Sequence, residues 1–234
     1  MMTRAVRGIV LVLVTVGLAL SGSARGADPE KKTDDAQKLV VQAGQTFDEF
    51  WKDRDLEWLQ KHRAEAKGFL ISPEIVKAGF VFGGSGGRAV LVAKADKGWE
   101  GPAFYSMGTA SVGFQAGVSV MSAVAVIMTQ KGLDALMSTQ LKFGADASVA
   151  AGPVGVGTGV QGVNADIVIY SKAKGLYGGA NFEGAVVKPS DDYNKAYYGK
   201  DCSPIDIIVK ASVPHNKAAD SPLFWRVTRQ PGTK

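Results

Sequence analysis

The chain has 234 residues, 46% of them hydrophobic and 21% charged, with a net charge of +5. That length supports one well-buried core and a single domain. The lone Cys202 rules out an intramolecular disulfide framework, so packing alone must hold the fold.

The first 26 residues follow the plan of a secretory signal peptide. Arg4 and Arg7 give a positive start, Ile9 to Leu20 is apolar without a charge, and small residues follow from Ser21 to Ala27. An apolar run of 12 residues falls short of the ~20 that a spanning helix needs, which argues against an uncleaved anchor. Cleavage after Gly26 fits the small-x-small pattern Ala24-Arg25-Gly26, and the chain is expected to be exported, periplasmic or secreted. Residues 1–26 hold three Arg and no acid, so their removal lowers the net charge from +5 to +2. That is too little positive charge to indicate a nucleic-acid partner.

Residues 27–35 are charged, lack apolar periodicity, and read as a flexible lead-in to a single domain over 36–230. From Ala36 the spacing is helical: Leu39, Val40, Ala43, Phe47, Phe50 and Trp51 share one face, which should pack on the domain itself. Asp53-Arg54-Asp55 breaks this helix, and Leu56, Leu59 and His62 with Trp58 predict a second, ending near Gly68. Ser72-Pro73-Glu74 has the form of a helix start, with Ser as N-cap and Pro at the first position.

After Ala78 the period changes to two. Phe80 to Phe82 and Ala89 to Val92 read as strands joined at a glycine-rich tip, Gly83 to Gly87. Ser111 to Val120 alternates as one strand with Val112, Phe114, Ala116, Val118 and Val120 on one face. Ala123 to Met128 is a continuous apolar run, expected to be buried on both faces. A short helix follows at Gln130 to Met137, then strands at Leu141–Ala151, Ile167–Tyr170 and Ala180–Val187, and short helices at Asp191–Tyr198 and Leu223–Val227. Gly101 to Gln130 has no charge, but its alternation with Gly, Ser, Thr and Gln argues for strands rather than a helix in lipid. Glycine is enriched, at 29 residues, and much of it lies within predicted strands, which favours a curled or barrel-like antiparallel sheet. The expected class is α+β: N-terminal helices packed on that sheet, with short C-terminal helices.

Two motifs resemble catalytic or nucleotide-binding signatures. Gly83-Gly84-Ser85-Gly86-Gly87 matches G-x-S-x-G, and His215 lies downstream, so a serine hydrolase using Ser85 and His215 is the formal alternative. The elbow needs a helix after the Ser, whereas Arg88 to Val92 reads as a strand, so no catalytic residue is assigned. Gly157 to Gly162 matches G-x-G-x-x-G but precedes the strand-like Asp166 to Tyr170 instead of a helix, so no nucleotide or other cofactor is assigned. Asp53, Asp55, Asp191 and Asp192 fit helix breaks and caps better than metal ligands. Cys202 has no neighbour that would activate its thiol. Lys61, His62, Arg63 and Lys67 form the densest basic cluster of the helical region, either a solvated face or a contact for anionic lipid heads.

Further blocks, in order, carry a family resemblance. They include Ala66-Lys67-Gly68-Phe69-Leu70-Ile71-Ser72-Pro73, Val76-Lys77-Ala78-Gly79-Phe80, Ser111-Val112-Gly113-Phe114-Gln115-Ala116-Gly117 and Lys131-Gly132-Leu133-Asp134-Ala135-Leu136. They continue through Leu141 to Gly155, Tyr170 to Gly179 and Tyr197-Tyr198-Gly199, so that the match is best over 66–199. This series resembles the SYLF family. The resemblance implies a lipid-binding module and not an enzyme. Eukaryotic members combine the module with SH3 or FYVE domains and bind phosphoinositides, some also actin filaments, whereas bacterial members are usually exported single domains. For an exported chain the resemblance implies an anionic lipid or membrane surface as partner, with actin not expected. Lys61, Arg63 and Lys67, with Trp58 and Phe69 beside them, are the expected lipid contacts. A structural or scavenging protein holding an apolar ligand in the curled sheet is a further reading.

Overall fold

The computed structural model describes residues 29–79, 82–96, 98–112, 117–155, 163–173, 176–177, 182–213 and 222–228. Helix α1 (Pro29–Lys52) opens it, and a 3-10 turn (Arg54–Leu56) leads into α2 (Glu57–His62). The buried stripe of α1 is Ala36, Leu39, Val40, Ala43, Phe47 and Phe50, as its spacing predicts. The helix starts earlier than its apolar pattern does. Pro29 to Asp35 is helical rather than a flexible lead-in. Polar contacts hold this first part to the domain: Lys32 Nζ is 2.8 Å from Asp192, and Thr33 donates to Ala196 O at 3.1 Å.

Four long strands follow: β1 (Gly68–Gly79), β2 (Phe82–Ala95), β3 (Gly98–Val112) and β4 (Gly117–Ile127). After α3 (Gln130–Leu136) come β5 (Leu141–Lys142), β6 (Val149–Ala151), β7 (Ile167–Ala173), β8 (Leu176–Tyr177) and β9 (Val186–Pro189). The described residues close with α4 (Asp191–Tyr198), a π-type turn (Ile205–Val209) and α5 (Pro222–Thr228). The strands form one curled sheet ordered β5-β9-β3-β2-β1-β4-β7-β6, with β8 beside β7. All pairings are antiparallel except β6 with β7. The α+β class with helices first and a curled sheet after them is as expected.

Several local readings need correction. Ser72-Pro73-Glu74 starts no helix; it lies inside β1, where the register with both neighbours slips. Tertiary pairing overrides the local cap signal there: Ser72 Oγ donates to Arg88 O at 2.7 Å. Gly83 to Gly87 is no hairpin tip. These glycines sit within β2, paired with β1 and β3 on either side. At Gly87 the absence of a side chain is required, because a Cβ would overlap the Glu74 carbonyl oxygen at the slip in β1. Ser111 and Val120 fall in different strands, since β3 (to Val112) pairs with β2 and β4 (from Gly117) pairs with β1; residues 113–116 lie outside the described residues. Leu141 to Ala151 is likewise divided, into β5 and β6; of the strand read at Ala180–Val187, residues 182–185 are not strand, Val186 and Val187 belong to β9, and Ala180 lies outside the described residues. The G-x-G-x-x-G segment lies outside the described residues.

The core fills the half of the sheet nearest α1. Ala123 to Ile127 is buried along its length, as its unbroken apolar run predicts, between β1 and β7. Phe104 faces α4, with Tyr197 5.2 Å away, and Tyr105 takes the other face, where its hydroxyl donates to Leu136 O at 2.9 Å. Tyr198 donates to Pro102 O at 2.9 Å and Asn194 Oδ1 accepts from Phe104 N at 2.9 Å, which fixes α4 on β3. Among the described residues no helix is long and apolar enough to cross a membrane.

Candidate functional site

The register of β1 and β2 assembles a basic surface that the linear sequence scatters. Gly68 pairs with Ala93, so Lys67 and Lys94 become neighbours, with Lys94 N donating to Lys67 O at 2.7 Å. Lys94 Nζ donates to Ala64 O at 2.7 Å and lies 5.3 Å from the centre of the Trp99 ring. Arg63 stands 4.7 Å over Trp51. Trp51 and Trp99 are both half-buried, packed against the core on one side. Partial burial, followed by the charges of Lys67 and Arg63, holds the Lys94 ammonium below the ordinary lysine range. Crowded cations repel one another and gain most from a negative partner. The surface therefore unites Arg63, Lys67 and Lys94 with two indole edges.

The residues expected to touch lipid divide. Lys67 is exposed and belongs to this surface. Lys61 is exposed but paired with Glu57 at 2.5 Å, one turn away on α2. Arg63 is half-buried, and its guanidinium donates to Val227 O and, at 3.4 Å, to Arg226 O at the end of α5. It is as much a structural clamp as a surface charge, and desolvation lowers its pKa. Trp58 and Phe69 are in the core instead. Trp58 stacks on His62 with ring centres 4.2 Å apart, and Phe69 is 0% exposed between Phe47 and Trp99. Neither presents a face outward, because the apolar stripe to which each belongs closes the core. Sequence reading missed Lys94 and Trp99, whose place depends on strand register. It placed Trp51 in the core, where only part of the ring lies.

The remaining sequence candidates within the described residues make the following contacts. Ser85 is in the middle of β2, opposite Lys77 and Thr109, with its Oγ 2.8 Å from Thr109 Oγ1 and no helix after it. The hollow beside it is lined by Ser106, Met107, Thr109, Val186 and Lys188, without a carboxylate or imidazole. His215 lies outside the described residues. Asp53 accepts from Asp55 N at 3.1 Å as the cap of the 3-10 turn, and Asp192 accepts from Tyr193 N at 3.0 Å. Cys202 is buried, and desolvation pushes its thiol up to about 11. Among the described residues no group of three or more His, Cys, Asp or Glu could hold a metal ion.

Fold and surface together define a class: an α+β domain on a long-stranded curled sheet with a basic, tryptophan-edged end. The chain belongs to the Ysc84 family, described as Las17-binding protein actin regulator, which matches residues 108–229; this is the SYLF family that the sequence resembles. Among its relatives is LAS seventeen-binding protein 3 of Saccharomyces cerevisiae, 33% identical over 169 residues, covering 68% of this chain and 36% of that protein. Protein YSC84 of the same yeast is 31% identical over 163 residues, 66% of this chain and 34% of its own length. Human SH3 domain-containing YSC84-like protein 1 is 29% identical over 150 residues, 62% of this chain and 44% of its own. The chain thus spans about a third of the length of the yeast relatives it matches.

Proposed function

We propose that the protein is an exported, non-enzymatic module that binds anionic membrane surfaces through Lys67, Lys94 and Arg63, with Trp51 and Trp99 at the interface. The observation that carries this reading is the crowding of these cations beside two half-buried indoles. Indole rings favour the level of the lipid headgroups, and each Lys or Arg near an anionic leaflet contributes about 1 kcal/mol. Three cations give about 3 kcal/mol, a millimolar-scale attraction on its own, so the indoles must add buried apolar area. Binding is therefore weak, reversible and sensitive to salt.

Co-sedimentation with vesicles of phosphatidylserine and phosphatidylcholine tests the site. Lys67→Glu combined with Lys94→Glu should weaken binding at least tenfold, and salt should weaken the wild type. Both partners of Arg63 stay intact in this variant. Equal binding by the two proteins, or equal binding to vesicles of phosphatidylcholine alone, rejects the assignment. A second reading comes from the relatives, whose names refer to binding LAS seventeen and whose family is described as an actin regulator. On that reading the basic surface meets an acidic protein, and the wild type sediments with actin filaments but not with vesicles.

A further inference from the structure

The end of the sheet farthest from the basic surface carries a second feature, independent of the membrane reading. Strands β1 to β4 extend well past the core. Strand β7 pairs with β4 only from Met121 to Ile127, so among the described residues nothing pairs with the outer edge of Gly117-Val118-Ser119-Val120. On the face that carries α4 nearer the core, Val118 and Val120 lie beside Ala78 and Val76 of β1, and these beside Gly84 and Gly86 of β2. Val118 is 72% exposed, Val120 47% and Val76 39%. Edge strands are usually protected by a charge, a proline or a bulge; this one has none of them, and no charge occurs from Gly101 to Gln130.

Chemistry selects the occupant. An apolar face alone would suit lipid, but an open edge in hydrocarbon leaves backbone N–H and C=O groups unsatisfied. The edge needs a strand, and a second copy supplies a matching one. We propose that two copies of the chain pair antiparallel along the β4 edge, about a two-fold axis through Ser119 and normal to the sheet. That axis keeps the apolar faces on the same side. It sets Val118 against Val120 of the partner subunit and Ser119 against its own counterpart, so the four valines join the two patches into one strip. The outer edge of β3 from Thr109 onward also lies beyond β9, whose pairing stops at Gly108. Joining β3 of one copy to β4 of the next is heterologous and open-ended, whereas β4 with β4 closes at two.

Sedimentation velocity of the purified protein at rising concentration, combined with cross-linking, tests the interface. The wild type should pass from monomer to dimer, and Val118→Lys should raise the dimer dissociation constant at least tenfold while circular dichroism stays unchanged. Should Val118→Lys fail to fold, Ser119→Cys decides alone. The two-fold axis brings the two Cα atoms to about 5 Å, within disulfide reach, so mild oxidation should give a covalent dimer. Lys77→Cys, one strand further in, should give none, and the buried Cys202 of the wild type none. A monomer at all concentrations, a mass that grows beyond two, or a dimer that survives Val118→Lys and does not cross-link at residue 119 overturns the proposal. So does a monomeric wild type whose binding to vesicles is lost in Val118→Lys, which would give the patch to lipid.

Discussion

Asp166 holds together the junction of β4, α3, β6 and β7. Its carboxylate accepts from Thr129 Oγ1 at 2.6 Å, from Ser148 N at 2.9 Å and Oγ at 2.8 Å, and from Lys131 Nζ at 3.2 Å. The hydrogen bond from Thr129, then those from Ser148, hold its pKa well below the usual carboxylate range. Thr129 also caps α3, accepting from Gly132 N at 3.0 Å, so one carboxylate orients the cap of one helix and the start of a strand. Asp166→Ala leaves these donors unpaired, which costs about 2–3 kcal/mol. The sign with pH follows from the lowered folded-state value. The stabilisation is present above the unfolded pKa of about 4 and is lost as pH falls toward the folded one. Urea denaturation should show the gap between wild type and variant at pH 7 and a smaller gap at pH 2.5. A gap independent of pH would mean that the carboxylate charge plays no part.

At the scale of elements, α5 is secured by two arginines. Its Leu223 and Val227 are buried, and Arg226 Nε meets Asp48 of α1 at 2.7 Å. A helix of seven residues is not stable alone and depends on such contacts. Arg63 from the end of α2 supplies the C-terminal tie, where a cation also meets the negative end of the helix dipole. Arg63→Gln should therefore cost about 1–2 kcal/mol and speed amide exchange in α5 before other helices. Uniform acceleration throughout the chain would show that α5 is not a separately secured unit. Elements with self-contained patterns were legible in the sequence: the apolar stripe of α1, the doubly buried run of β4, and α3, α4 and α5. The glycine run of β2 and the joint between β3 and β4 were not. Alternation through Gly113 to Ala116 continues without a break, so the pattern alone cannot locate the joint. A glycine run has the same appearance at a hairpin tip and in a strand crowded by a neighbouring backbone, as at Gly87.

For the whole molecule, the sheet has a basic end at Lys67 and Lys94 and an apolar end at Val118 and Val120, and the proposed export rests on the leader-like residues 1–26. Export is checked by sequencing the N-terminus of the protein recovered outside the cytoplasm, which should begin between Ala24 and Asp28. An intact Met1 there would dismiss the leader reading. The sequence by itself determined the α+β class, the single core, the family and the character of its long helix, because periodicity, composition and ordered blocks are properties of the chain. It also picked out Lys61, Arg63 and Lys67 as a cluster, since they are close along one segment. Only the tertiary structure decided which of them are available. Lys61 is paired with Glu57, Arg63 is shared between α5 and the basic surface, and strand register brings Lys94 and Trp99 from ~30 residues away to Lys67. It also decided that Trp58 and Phe69 are core and that Val118 and Val120 are surface. An apolar side chain in a strand carries no local mark of which half of that strand the helices will cover.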